Sequence, residues 1–358
     1  VEDLEQQVQR GDFEHEVSIR GSRGGSVEFS MPWKGPGGSG SGNGVAGATV
    51  PELRRLLNAV FAEVVSTGRV TVAQGASPNA DSTTLFHVAD GQAASFPVGS
   101  IVMSNGRVGI VTATAAQGVN PDEISVNPAF GRIPTVGETI YGGVAYHPQL
   151  SGIYTMTFEH LRGMQRREML YGCLPTIKIM GTGRNQVPLL DFNYRSSYAY
   201  GTRTFAGPNI VPTHDTVVPI SANDSYVILA SGTALRVTDW SVDLALEIAE
   251  DPIADLPNGI AGLVIVGWKP VVTFTLELDN AAPNNSELEY ERYLASQTFS
   301  FMGQIDRRPG HTKAFYAHTV AHLNPTFDPV DNLHRISCKA EVLASGLTSM
   351  PSFLLGTV

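Results

Sequence analysis

Val187–Tyr200 reads VPLLDFNYRSSYAY, and its first half decides the fold. Leu190, Phe192 and Tyr194 fall on one side of an extended chain; Leu189, Asp191, Asn193 and Arg195 fall on the other. Strand side chains alternate with a period of two, so this is a strand with one face toward a core. The same period recurs on both sides of it. In Phe13–Arg20, Phe13, His15, Val17 and Ile19 oppose Glu14, Glu16, Ser18 and Arg20. After Gly21-Ser22-Arg23-Gly24-Gly25, Val27, Phe29 and Met31 oppose Ser26, Glu28 and Ser30, and two such runs about a glycine-rich turn read as a β-hairpin. Downstream, Trp240, Val242, Leu244, Leu246 and Ile248 alternate with polar residues, and so do Val272, Phe274, Leu276 and Leu278. The expected fold class is mainly β.

Two helical signals interrupt the strands. Thr49-Val50-Pro51-Glu52 has the form of a capping box with proline in the first turn, and Leu53, Leu56, Leu57, Val60, Phe61 and Val64 follow at helical spacing. Ser286-Glu287-Leu288-Glu289 starts a second, shorter helix carrying Tyr290, Tyr293 and Leu294. Between Gly68 and Gly143 come short β-type segments punctuated by Gly, Pro and Asn, enough for a small barrel-like insertion. Lys34–Gly47 (KGPGGSGSGNGVAG) is a flexible, low-complexity loop. Phe205–Asp224, rich in Pro, Thr, Asn and Asp, reads as a linker.

The order of elements repeats. Strand pair, turn, amphipathic helix and further strands precede the linker and follow it again, with Gly21–Met31 matching Gly267–Leu278 and Asp191–Gly201 matching Arg335–Gly346. This reads as a diverged tandem duplication: a first module over 1–204 with an insertion at 68–143, a linker over 205–224, and a second module over 225–358. Two unrelated β-modules are the alternative.

Composition narrows the function. Among 358 residues, 24 Lys+Arg face 34 Asp+Glu, a net charge of −10. That balance argues against a protein that grips nucleic acid by neutralising phosphates. Charged residues make up 16% of the chain, against about 25% in an average soluble protein, which points to surface hidden in an assembly. No apolar run approaches the ~18 residues of a membrane-spanning helix, so no membrane partner is expected. A first residue Val1 in place of Met leads to the expectation that natural N-terminal residues are missing.

Chemistry is sparse. There is no phosphate-binding G-x-x-x-x-G-K-[ST] and no G-x-S-x-G elbow. Gly35, Gly37 and Gly40 satisfy G-x-G-x-x-G without the strand–turn–helix context of a dinucleotide site. His318 and His322 have zinc-helix spacing, but Thr319 stands where the catalytic Glu belongs and the segment reads equally well as a strand. Cys173 and Cys338 read as buried thiols. No catalytic, cofactor-binding or metal residue is assigned, no cofactor is expected, and the chain is not read as an enzyme. The informative residues are acidic: Glu14, Glu16, Glu28, Asp191, Glu277 and Asp279 all sit opposite core positions. If such strands closed into a ring with these faces inward, the bore would carry carboxylates that repel phosphate. An ordinary solvated strand face is the plain alternative.

Several stretches resemble the tail tube (major tail) proteins of long-tailed bacteriophages. Phe13–Pro32 (FEHEVSIRGSRGGSVEFSMP) resembles that family's opening hairpin, and Val50–Phe61 (VPELRRLLNAVF) its proline-started helix. Tyr146-His147-Pro148 resembles its tyrosine–proline lead into the next strand. Leu170-Tyr171-Gly172-Cys173, leading to Leu190-Asp191-Phe192, resembles its glycine turn and sheet strand. Phe274–Asn280 (FTLELDN) and Gly303–Pro309 (GQIDRRP) are similar to its later strands. The resemblance implies tandem β-sandwich modules, each with a flanking helix, whose inner sheets close into a continuous barrel. It implies self-association into rings, stacked into a conduit through which double-stranded DNA passes without specific binding. Those rings would be trimeric and pseudo-hexameric, or hexameric. It also implies tape-measure and terminator partners, and a place in the virion tail after assembly in the host cytoplasm. Gly35, Gly37, Gly38, Gly40, Gly42 and Gly44 would belong to a ring-stacking loop. The alternative is another phage tail or virion β-protein: a terminator, a decoration protein or an adhesin-like module.

Overall fold

The computed structural model describes residues 3–4, 19–20, 24–35, 51–66, 69–73, 81–116, 121–149, 152–162, 166–202, 222, 224–229, 233–235, 237–252, 260–277, 287–330, 333–345 and 351–358. The chain is mainly β, built of antiparallel sheets that include a half-barrel, with two helices among the described residues. The apolar side chains form three clusters, and these define three stacked layers.

The middle layer is a wall covered on both faces. Its strands run in the order Thr233–Leu235, Ser225–Leu229, Thr298–Ile305, the first half of Lys313–His322, Phe353–Thr357, Val144–Pro148 and Phe61–Val65. Consecutive residues here bury on opposite sides: Val227, Phe301, Phe315 and Leu355 enter the main core, while Ile228, Met302, Tyr316 and Leu354 enter the second cluster. A strand buried on both faces loses the polar alternation of a half-exposed one.

The open wall packs across the main core. Its order is Ser26–Pro32, Leu189–Arg195, the second half of Arg166–Met180, Val237–Asp243, Val271–Glu277 and Leu333–Val342. Two of its strand pairs share one arrangement. Val27, Phe29 and Met31 lie opposite Tyr194, Phe192 and Leu190; Val272, Phe274 and Leu276 lie opposite Ala340, Cys338 and Ile336. All of these except Val27 belong to the main core; Phe29 stacks on Phe192 at 5.4 Å, and Phe274 lies tilted against Phe301 of the covered wall at 5.5 Å. The long strand Arg166–Met180 leaves this wall at Gly172, whose φ of +62° only glycine adopts freely. Its first half instead joins Met156–Arg162 and Tyr198–Thr202 in a separate antiparallel sheet, whose Met156, Phe158 and Leu170 pack against the main core.

Helix α1 (Pro51–Asn58) buries Leu53, Leu56 and Leu57 in the main core. It is shorter than its apolar spacing predicts. Phe61–Val65 (FAEVV) pairs with Pro148–Val144 as a strand, because aromatic and β-branched residues suit an extended ladder and here find one. Helix α2 (Glu287–Leu294) is pinned by buried Glu289, which receives Arg292 and lies 2.9 Å from His322 Nε2.

Between Phe61–Val65 and Val144–Pro148 the chain builds the third layer. Six strands follow the order Arg69–Thr71, Thr139–Gly142, Ile101–Ser104, Arg107–Ala115, Asp122–Asn127 and Leu85–Val88. The last meets the first through Ala73 N and His87 O at 2.8 Å, so the sheet closes as a barrel around Phe86, Phe96, Phe130 and Ile140. Barrel residues Ile101, Met103, Val108 and Ile110 pack on the covered wall. Gln304, fully buried, ties the two together. Its Oε1 accepts from Val108 N at 3.0 Å and from the Tyr226 hydroxyl, and its Nε2 donates to Gly106 O and Asp306 O, both at 2.9 Å.

Candidate functional site

The outward face of the open wall concentrates charge. By strict alternation, Trp240, Val242, Val272, Phe274 and their neighbours enter the core, and the residues between them face away. Glu28, Asp191, Asp239, Asp243, Glu277 and Glu341 lie on this outward face, together with Lys178, Arg195, Arg335 and Lys339. Six carboxylates against four cations leave the face acidic, and pairing sharpens the imbalance.

Lys178 sits between two acidic strands, next to Asp191 on one side and Asp243 on the other. Its Nζ reaches Asp243 Oδ2 at 2.8 Å. The hydrogen bond and charge of Asp243 raise its pKa, and Asp191 adds to the effect. Arg195 is held by Glu250. Two of the cations are thus neutralised locally. Asn193 Nδ2 donates to Glu28 Oε1 at 2.6 Å, while Asp191 Oδ1 is shielded and accepts no hydrogen bond among the described residues. A groove of 350 Å³ runs here, lined by Glu28, Ser30, Thr176, Lys178, Asp191 and Asn193. Such a surface has fixed negative charge and few free donors for phosphate.

Of the acidic residues singled out from sequence, Glu28 and Glu277 are exposed on this face and Asp191 is half-buried on it. Glu14, Glu16 and Asp279 lie outside the described residues. Lys178 and Asp243 are the additions. Ile177-Lys178-Ile179 carries the alternation that places Lys178 outward, but only the strand order reveals its acidic neighbours. Gly35 is buried, and a Cβ there would come within 2.7 Å of His311 Cα. Gly37, Gly38, Gly40, Gly42 and Gly44 lie outside the described residues.

The remaining chemical candidates resolve as packing. His318 and His322 lie on the strand Lys313–His322, where four residues span about 13 Å, too far for one zinc ion. Cys173 and Cys338 are free and fully buried; burial pushes the Cys173 thiol up to about 11. No three His, Cys, Asp or Glu side chains are grouped to hold a metal among the described residues. No described helix is long and apolar enough to cross a membrane. No protein-family model matches this chain, and no curated protein matches it.

Proposed function

We propose that this chain is a tail tube subunit of a long-tailed bacteriophage, with the outward face of the open wall lining a conduit for double-stranded DNA. The observation that carries the reading is the open wall itself: an antiparallel sheet, packed on the core with one face and bearing a carboxylate excess on the other. A lining of this kind suits DNA that must pass without sticking, since a phosphate-binding surface needs unpaired Lys and Arg. The matched pairing of Ser26–Pro32 with Leu189–Arg195 and of Val271–Glu277 with Leu333–Val342 supports a tandem duplication. Three chains would then supply the inner sheets of six single-domain subunits. Ring neighbours, a terminator and a tape-measure protein are the partners of this reading, and the virion tail is its place.

Electron microscopy of the purified protein tests it. Hollow tubes of uniform bore are expected, with a ring mass of three chains. Discrete oligomers that never stack would favour a terminator or decoration protein, and a ring of six chains would remove the duplication argument.

A further inference from the structure

Helix α2 is docked by charge where α1 is docked by apolar side chains. Its Leu288 and Leu294 are 43% and 65% exposed. Tyr290, half-buried, lies 5.3 Å from the ring of exposed Phe327. What enters the body is Glu289, 2% exposed, and an ionised carboxylate is buried only where it is paired and hydrogen-bonded. Its Oε1 accepts from Arg292, one turn along the helix, and its Oε2 lies 2.9 Å from His322 Nε2. The His322 side chain is wholly buried, with its ring 4.6 Å from that of Phe299 and 6.0 Å from that of Phe274.

The contacts count the protons of this site. With Glu289 ionised, the bond at Nε2 places the single proton of a neutral imidazole there. Nδ1 is shielded and has no hydrogen-bond partner among the described residues. The docked site therefore holds one carboxylate, one guanidinium and one uncharged ring. A second ring proton would be a buried donor without an acceptor, and it would carry charge in between Phe274 and Phe299. A proton on Glu289 would leave Arg292 without its anion. Cys338, from the strand Leu333–Val342, acts on the same site; burial and the charge of Glu289 push its thiol up, so it adds no charge. Glu277, Arg335 and Lys339 of the neighbouring strands lie on the outward face of the open wall, and Glu291 of the helix is exposed. With the helix lifted, water reaches Glu289 and His322, and both accept protons freely.

We propose that α2 is an acid-released flap: proton uptake at Glu289 and His322 lifts the helix off the strand Lys313–His322 and bares the rings of Phe299 and His322. The lifted form holds more protons than the docked one, so each proton taken up favours it by up to about tenfold per pH unit. The flap needs only this chain and does not depend on the tube reading.

Amide hydrogen exchange of the full chain at pH 7 and pH 5, corrected for the intrinsic rate, tests it. Exchange across residues 287–296 is expected to rise at least about tenfold at pH 5, while the barrel strands Ile101–Ser104 and Arg107–Ala115 stay unchanged. Glu289→Gln is expected to show the fast exchange already at pH 7. His322→Gln keeps a donor for Glu289 but takes up no proton, and it is expected to reduce the rise. A wild-type helix with the same corrected exchange at both pH values, or one that loosens together with the barrel, would overturn the flap. So would a rise as large as the wild type's in both variants. The wild-type comparison decides even where a substitution prevents folding.

Discussion

Lys178 Nζ lies 2.8 Å from Asp243 Oδ2, and this contact crosses the seam where the strand Arg166–Met180 meets Val237–Asp243. Both side chains are well exposed, at 55% and 41%, so the pair contributes at most about 1 kcal/mol. Lys178→Met is expected to change urea-unfolding stability by no more than that, with the difference vanishing at high salt. Because pairing raises the lysine pKa above 10.5, its contribution is complete below pH 10.5 and is lost as pH rises through the higher folded value. A larger loss in Lys178→Met at neutral pH would mean that the seam depends on this pair.

Lys313 is the opposite case. It is 1% exposed, and burial pushes its amine down to about 8, with Asp306 acting against the shift and Arg308 adding to it. The unfolded chain therefore holds this proton more tightly than the folded one. Stability should rise between pH 8 and 10.5 and stay flat below 8 on account of this group. Lys313→Met is expected to stabilise the protein by about 3 kcal/mol at pH 7 and by nothing above pH 10.5. Unfolding curves at pH 7 and 11 decide it, and equal gains at both would assign the effect to packing.

Gln304 makes four hydrogen bonds, and two of them, with Val108 N and Gly106 O, reach from the body into the barrel. Gln304→Leu leaves Val108 N, Gly106 O and Asp306 O without this partner, and each buried unsatisfied group costs about 1–3 kcal/mol. A loss of at least ~3 kcal/mol is expected, with faster amide exchange at Val108 and unchanged exchange inside the barrel. A melting temperature close to wild type would show that water replaces the amide at this joint.

Glu28→Lys, Asp191→Lys and Glu277→Lys together reverse three charges on the outward face of the open wall. Tubes are expected to form at near-normal yield, while DNA ejection slows, most strongly at low salt where charges are least screened. Ejection at the wild-type rate would remove the carboxylate lining from the proposed function.

The period-two runs that survive into the structure are those with one wet face. Phe29 and its neighbours, Phe192, Trp240 and Phe274 were legible because each alternates with a polar residue. Ser225–Leu229 (SYVIL) and Phe353–Thr357 (FLLGT) were not, since the wall they form is covered on both sides and no polar period is left to read. The run from Trp240 to Ile248 looks continuous in sequence, yet the chain turns at Ala245, with φ of +38°, and begins the separate ribbon Leu246–Pro252/Ile260–Trp268 there. The acidic half of the candidate site was visible from alternation alone. Its basic half was not, because Lys178 gains meaning only from Asp243, sixty-five residues away, and Arg195 only from Glu250.

The barrel leaves the body through a narrow neck: Ser66 N donates to Gly143 O at 2.9 Å, directly beyond the ladder of Phe61–Val65 with Val144–Pro148. Tension applied to the barrel therefore reaches that ladder at one end and opens it bond by bond, the weakest way to load a strand pair. The Gln304 bonds and the 2.8 Å contact from Asn127 Nδ2 to the Tyr316 hydroxyl lie in parallel with the neck and share the force. Mechanically, the third layer is held beside its neck by several side-chain contacts, among them His147 Nε2 at 2.8 Å from Gly99 O, and by the apolar packing of Ile101, Met103, Val108 and Ile110 on the covered wall. Its resistance to being pulled away is therefore set by side chains rather than by the backbone that carries it.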